Sequence, residues 1–224
     1  MTQSNFPFRI VGFDLDGTLV DSLDDLTAAL NHALGLAGRA PVVADGVRPM
    51  IGLGARHMLE RGLAAGGAVT EDEFQRLYDA LLVYYEANIA VHSRAYPGLA
   101  DALDRLDALG VRTAVVTNKV ERLARPLLGA LGLADRMAAI IGGDTMGPGN
   151  AKPSAAPIHA MVERCGGGRA IFVGDSIYDI MAAKNAGVTS VAVSFGFPNQ
   201  PVGEMGADHV IDHYDELLPL LERL

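Results

Sequence analysis

Five short β-branched runs, at residues 9–13, 112–116, 138–141, 169–173 and 190–193, alternate with stretches of helical period, and this alternation limits the fold more than any other feature. Runs of this kind read as buried strands. A strand that lies parallel to its neighbour needs a crossover of a dozen or more residues, and a helix usually supplies it. The expected class is therefore α/β, with a Rossmann-like parallel sheet core flanked by helices. One crossover helix shows Leu99, Leu103, Leu106 and Leu109 on a single face, opened by Pro97 at the first helical position and closed by Gly110.

The alternation breaks once. From Val20 to His92 there are helical patterns but no convincing strand, which predicts an inserted α-helical cap domain at 20–92 within an α/β core made of 1–19 and 93–224. The 224 residues suit this division, at roughly 150 residues per domain. The clearest helix of the insert opens with a capping box, Thr70 to Glu73, in which each side chain satisfies the other's backbone donor. Phe74, Leu77, Leu81, Tyr85 and Ile89 follow at helical spacing, a stripe better suited to a packed core than to a ligand box. Pro126 implies a kink or a late start in the helix near 121–131. No internal repeat or low-complexity tract is present.

In open α/β sheets ligands bind outside the carboxyl ends of the strands. Asp14, Asp16, Gly17 and Thr18 follow the first strand; Thr117, Asn118 and Lys119 follow the second; Gly142, Gly143 and Asp144 the third; Gly174, Asp175 and Ser176 the fourth, with Asp179 a helical turn further on. Carboxylates dominate this edge. If Asp14, Asp16 and Asp175 converge, their repulsion costs several kcal/mol at about 4 Å and an effective dielectric near 20, unless a cation intervenes. With no Cys/His cluster for zinc, the natural ion is Mg²⁺, which takes carboxylate, water and phosphate oxygens. Lys152, Thr117 and Asn118 add the charge and hydrogen-bond donors that phosphoryl transfer needs. Asp14 and Asp16, separated by one residue, lie on the same side of an extended chain about 6.6 Å apart, so both can reach one substrate.

Composition narrows the partners. Asp and Glu number 27 against 18 Lys and Arg, a net charge of −9 without any basic block, which argues against nucleic acid. Cys165 is the only cysteine, so no intramolecular disulfide can form and a reducing compartment is acceptable. No apolar run is long enough to cross a membrane, and the opening residues lack a leader pattern, so a cytoplasmic protein without membrane association is expected. The stretch 147–154 is superficially like a nucleotide P-loop, but Ala151 and Pro153 break the pattern. Gly52 and Gly54 lack the third glycine of a dinucleotide fingerprint and follow no strand.

The segment Phe13-Asp14-Leu15-Asp16-Gly17-Thr18 resembles the first motif of the haloacid dehalogenase superfamily of phosphohydrolases. It is followed, in the family's order, by Thr117-Asn118, Lys152-Pro153 and Gly174-Asp175 with Asp179, and the likeness spans nearly the whole chain, cap insert included. Softer cues, among them Tyr96-Pro97-Gly98 and Val116 to Lys119, are similar to bacterial phosphoglycolate phosphatases. The resemblance implies Asp14 as nucleophile forming an aspartyl-phosphate, and Asp16 as acid/base. Asp14, Asp175 and the main-chain carbonyl of Asp16 would hold Mg²⁺, with Asp179 supporting the metal. Lys152 would neutralise the phosphoryl oxygens, while Thr117 and Asn118 would donate hydrogen bonds to them. Because dehalogenases lack a second carboxylate at the place of Asp16, no dehalogenase activity is expected. Ser154 and Ala155 depart from the Asp-Pro that relatives often carry after Lys-Pro.

The expected reaction is hydrolysis of a small phosphorylated metabolite, first 2-phosphoglycolate, by a monomer or homodimer. Alternatives are a phosphomutase of the β-phosphoglucomutase type, a pyrophosphatase or nucleotide phosphatase, and a non-enzymatic phospho-aspartate signalling module. Arg48 and Arg56, flanking Gly52 and Gly54 in the cap, are candidates for a substrate carboxylate. Asp21, Asp24 and Asp25 read as the acidic first turn of a cap helix. Asp144 fits either a site or a turn.

Overall fold

A computed structural model describes residues 6–224; the reading of the first five residues as free of a leader, and their place in the core, fall outside these. In chain order the elements are β1 (Ile10–Phe13), β2 (Val20–Asp21), α1 (Leu23–Leu36), α2 (Ala44–Val47), α3 (Gly54–Leu63), α4 (Glu71–Ala87) and β3 (Arg94–Ala95). There follow α5 (Leu99–Ala108), β4 (Arg112–Val116), α6 (Glu121–Ala130), β5 (Ala139–Ile141), α7 (Ala156–Arg164), β6 (Ala170–Gly174), α8 (Ile177–Asn185), β7 (Thr189–Val193), β8 (His209–Ile211) and α9 (Leu217–Leu221).

The main sheet is six-stranded and wholly parallel, in the order β5-β4-β1-β6-β7-β8. All four residues of β1 are buried, as expected for a central strand covered on both faces. One face packs Phe13, Leu15, Leu103, Leu106 and Leu127 into the larger core; the other packs Ile10, Val116, Ile158, Met161 and Phe172. Register then aligns the strand ends, since Phe13 pairs with both Val115 and Val173. The residues just beyond those ends are therefore brought to one edge.

The sixth strand, β8, is an addition to the five read from sequence. Only three residues long, with Val210 exposed, it lacks the apolar run that marks a buried strand. Val20–Asp21 and Arg94–Ala95 form a two-stranded antiparallel ribbon, which corrects the expectation of no strand from Val20 to His92. Two residues are too few for a period-2 signal. Helices α1 to α4 lie between these two strands and share a cluster containing Leu30, Leu34, Met58, Leu59, Leu77, Leu81 and Tyr85, into which Leu123 and Phe197 also pack. Burying one such leucine contributes about 2 kcal/mol.

Local details adjust several expectations. Thr70 Oγ1 accepts from the Glu73 N–H at 3.2 Å, the forward half of the capping box; no return bond from Glu73 accompanies it among the described hydrogen bonds. Helix α4 ends at Ala87, so Ile89 lies beyond it, still partly buried between the two clusters. Helix α5 begins after Gly98, not at Pro97, because Gly98 takes the left-handed φ of +78°. Helix α6 starts at Glu121 and carries Pro126 inside it. Among the described residues no helix is long and apolar enough to cross a membrane.

Candidate active site

Asp14 leaves β1 with its N–H donating to the Val173 carbonyl at 2.9 Å, which fastens it to β6 at the sheet's carboxyl edge. The chain then folds into a tight loop in which the Leu15 carbonyl accepts from Leu19 and Val20, both at 3.0 Å. Gly17 sits in this loop at φ +83°, and a Cβ there would come within 2.2 Å of Asp175 Oδ2. Only glycine lets the loop adopt that φ at low cost and lie against the carboxylate.

Asp175 is held from two sides: Thr18 Oγ1 donates to Oδ1 at 3.0 Å, and the Phe197 N–H donates to Oδ2 at 2.8 Å. Tyr214 in turn donates its hydroxyl to the Thr18 carbonyl at 2.8 Å, tying the loop to the C-terminal region. Asp179 forms a capping box with Ser176 at the start of α8, accepting from the Ser176 N–H at 2.9 Å and hydroxyl at 2.6 Å through Oδ2. Its Oδ1 faces Lys152 Nζ at 2.6 Å.

Lys152 Nζ also lies 2.8 Å from Asp14 Oδ1, so the ammonium stands between two carboxylates. Apart from this ion pair, that buried oxygen has no hydrogen-bonding partner among the described residues. Asp14, Asp175 and Asp179 each offer an oxygen, all within 4.8 Å of one another. Burial pushes the Asp14 carboxyl up to about 7, with Lys152 opposing and Asp179 adding to the rise. Burial, then Asp179 and Asp14, raise Asp175 well above the ordinary carboxylate range.

Three carboxylates against one ammonium leave an excess of two negative charges. At an effective dielectric near 20, two such charges about 4 Å apart repel by roughly 4 kcal/mol. The all-oxygen donor set and the excess charge together fit a hard divalent cation.

Asp16 is placed differently. Its side chain accepts from Ser22 Oγ at 2.6 Å and pairs through both oxygens with Lys119 Nζ, at 2.9 and 2.7 Å, outside the carboxylate cluster. Sequence reasoning gave Lys119 no role, although its position right after Thr117 and Asn118 at the ligand edge was the available signal. The Lys119 ammonium also sits 4.5 Å from the ring centroid of Tyr85 on α4. The Tyr85 hydroxyl is buried without a hydrogen-bond partner, and burial pushes its phenol up to about 12 despite Lys119.

These groups meet at a cavity of about 320 Å³ between the sheet edge and the helical segment. Asp14, Asp16, Thr117, Asn118, Lys119 and Lys152 give it polar walls; Leu26, Ile51, Met58, Leu81 and Leu82 are among its apolar ones. Thr117 Oγ1 accepts from the Lys119 N–H at 3.1 Å, leaving the hydroxyl proton available to a ligand.

The Asn118 side chain is committed within the protein. Its amide donates to the carbonyls of Gly52 and Lys152, at 2.9 and 3.0 Å, and accepts from the Lys152 N–H at 2.9 Å. Both amide protons are engaged, so the side chain positions Lys152 and links the sheet edge to the helical segment.

The two arginines part company. Arg56 lines the cavity, but its guanidinium donates to Gln75 at 3.0 Å and stacks over Phe74 and Tyr78. Arg48 is not among the residues lining the cavity: it donates to the Gly196 carbonyl at 3.2 Å and covers the Phe197 ring. Asp144, at the cavity's edge, accepts from the Glu121 N–H at 2.8 Å and so caps α6. Asp25 is not merely an acidic first-turn residue; it is buried and accepts from His92 and Ser93.

Comparison with known proteins agrees with this geometry. The profile of the family described as haloacid dehalogenase-like hydrolase matches residues 8–187. Over 212 residues the chain is 45% identical to a phosphoglycolate phosphatase of Agrobacterium fabrum, covering 93% of this chain and 90% of that protein. It is 42% identical to a phosphoglycolate phosphatase of Caulobacter vibrioides, covering 91% and 86%. Among solved structures, a predicted phosphoglycolate phosphatase from Haemophilus somnus 129pt superposes with a TM-score of 0.89 at 34% identity, over 98% of this chain and 99% of that one.

Proposed function

The chain belongs to the haloacid dehalogenase-like hydrolases, and from that premise we propose that it is a Mg²⁺-dependent phosphatase converting 2-phosphoglycolate to glycolate and phosphate through an aspartyl-phosphate. The observation that carries this reading is the buried group of Asp14, Asp175 and Asp179 closed by Lys152 at the parallel sheet's carboxyl edge. The names of the similar proteins support the choice of substrate.

In this reading Asp14, Asp175 and the main-chain carbonyl of Asp16 hold Mg²⁺, with Asp179 supporting. The ion supplies positive charge against the phosphoryl oxygens and helps orient the ester. Lys152 adds a second positive charge and keeps the nucleophile turned toward the substrate. A carboxylate oxygen of Asp14 attacks phosphorus, and the bond from phosphorus to the leaving oxygen breaks as Asp16 gives that oxygen its proton. Asp16, now a carboxylate, takes a proton from a water whose oxygen attacks the phosphorus. The bond from phosphorus to Asp14 then breaks, and phosphate departs with both aspartates restored.

Thr117 donates its hydroxyl proton to the phosphoryl group and Asn118 its main-chain N–H, while the Asn118 side chain positions Lys152. We also propose that the helical segment at 20–92 serves as a cap over the core at 1–19 and 93–224, with the β2–β3 ribbon as its neck. Such a cap excludes bulk water from the acyl phosphate.

The test is phosphate release by purified protein from a panel of phosphorylated metabolites, with Mg²⁺ and with EDTA. Metal-dependent turnover with a preference for 2-phosphoglycolate is expected. Interconversion of sugar phosphates without phosphate release would instead identify a mutase, and metal-dependent turnover peaking elsewhere would move the substrate.

A further inference from the structure

Of the cations around the cavity, Lys152 is held between Asp14 and Asp179, and the Arg56 guanidinium is engaged with Gln75 and two aromatic rings. Lys119 is different. Its ammonium has a single carboxylate partner, Asp16, and otherwise faces Tyr85, so another carboxylate can take the place of Asp16 on it. Across from it α4 contributes Tyr85, whose hydroxyl is buried and without a partner, although the residue lines the same cavity. Buried hydroxyls in folded proteins are normally hydrogen-bonded, so one whose proton has no acceptor, beside a buried ammonium, points to an anionic ligand atom within reach of both.

We infer that Lys119 and Tyr85 form the receptor for a carboxylate on the leaving alcohol, which makes the preferred substrates short phosphomonoesters with a carboxylate near the ester oxygen. This rests on the reading of the chain as a phosphatase. The apolar walls, Leu26, Ile51, Met58 and Leu81, favour a compact leaving group, since a polyhydroxylated sugar would lose its water against them without replacement hydrogen bonds.

The pairing with Asp16 gives the site a second property. Lys119 holds the carboxylate that serves as acid/base, and an arriving substrate carboxylate takes the place of Asp16 on the ammonium. Asp16 is thereby freed to turn to the leaving oxygen. Recognition of the leaving group and readiness of the acid are coupled through one lysine: the carboxylate released from the ammonium takes up a proton from water, which it then gives to the leaving oxygen.

The experiment compares 2-phosphoglycolate with ethyl phosphate, which has a similar leaving group without the carboxylate. In Mg²⁺, kcat and KM are measured for the wild type and for Lys119→Met, Lys119→Arg and Tyr85→Phe, each first checked by thermal unfolding. The wild type should prefer phosphoglycolate by about 10- to 100-fold in kcat/KM, the range expected of a hydrogen bond to a charged group. Lys119→Met should bring that ratio close to one, Tyr85→Phe should lower it by about fivefold, and Lys119→Arg should keep most of it. Calorimetric titration of both esters into the Asp14→Asn protein, with and without Lys119→Met, should show the same loss of discrimination in affinity.

If the variants slow both esters in parallel and leave the ratio intact, Lys119 only positions Asp16 and the inference fails. If the wild type hydrolyses both esters equally, the inference fails while the phosphatase reading stands. Hydrolysis of neither ester would overturn both.

Discussion

Asp25 provides the most quantitative test of how the helical segment is joined to the sheet domain. Both its carboxylate oxygens accept from the His92 N–H at 3.0 Å, and Oδ2 also accepts from the Ser93 N–H at 2.8 Å and hydroxyl at 2.6 Å. The first turn of α1 is thus tied to the residues that lead into β3. In Asp25→Ala the His92 N–H can turn to water, because His92 is exposed, whereas Ser93 is wholly buried and its two donors lose their acceptor. At about 1–3 kcal/mol for each buried unsatisfied donor, less the desolvation relieved by removing the carboxylate, the net loss is about 3 kcal/mol. For a chain of this size that lowers Tm by about 9 °C. Differential scanning calorimetry at pH 7, with urea unfolding alongside, reads the effect. Ser93→Ala should cost about 1 kcal/mol alone and almost nothing in the Asp25→Ala background, a coupling of about 1 kcal/mol. A loss below about 1 kcal/mol for Asp25→Ala, or strict additivity of the pair, would refute the reasoning.

Three other outcomes follow from the site. Because Asp14 titrates near 7 in the metal-free fold against an ordinary 3.8, the native state binds more protons than the unfolded state between those values. The metal-free protein should therefore lose stability as pH rises from about 4 to 7, and Mg²⁺ at a hundred times its Kd should restore about 2.7 kcal/mol near pH 8; thermal scans with EDTA and with Mg²⁺ across pH check this, and the absence of any Mg²⁺ shift at pH 8 would count against the metal site. Gly17→Ala would force a Cβ to within 2.2 Å of Asp175 Oδ2 from a left-handed backbone, so kcat/KM should fall at least about tenfold; steady-state kinetics near wild-type values would contradict the described loop. Asp144→Ala removes the acceptor for the Glu121 N–H and should lower stability by about 1 kcal/mol in urea unfolding, with little change in KM.

The sheet and its ligand edge were legible because parallel strands buried on both faces leave continuous β-branched runs, and because the chemistry sits where those runs end. Asp14 and Asp175 are brought together by strand register, which sequence pattern can anticipate, while Lys152 and Asp179 reach them from a loop and the first turn of α8. The ribbon at Val20–Asp21 and Arg94–Ala95 was not legible, since two-residue strands carry no period and their pairing spans the whole helical segment. Strand β8 was missed because it is short and has an exposed residue at its centre.

Side-chain pairing was harder to read than backbone position. A lysine after Asn118 could serve many purposes, and only the three-dimensional arrangement sets its ammonium against Asp16. Arg48 and Arg56 looked alike in sequence, yet one covers Phe197 and the other stacks on Phe74 and Tyr78, because long cationic side chains follow the aromatic faces within reach. The side-chain amide of Asn118 links two loops whose proximity no local pattern encodes.

The central claim is that Asp14 carries the phosphoryl group during turnover. Rapid acid quench of the wild type with 2-phosphoglycolate and Mg²⁺, followed by mass spectrometry of the peptide containing Asp14, tests it most directly. The account predicts a phosphate adduct on Asp14 that forms before phosphate is released and is absent from Asp14→Asn, which should also be inactive. Full turnover with no adduct at Asp14, or sustained phosphate release by Asp14→Asn, would contradict it.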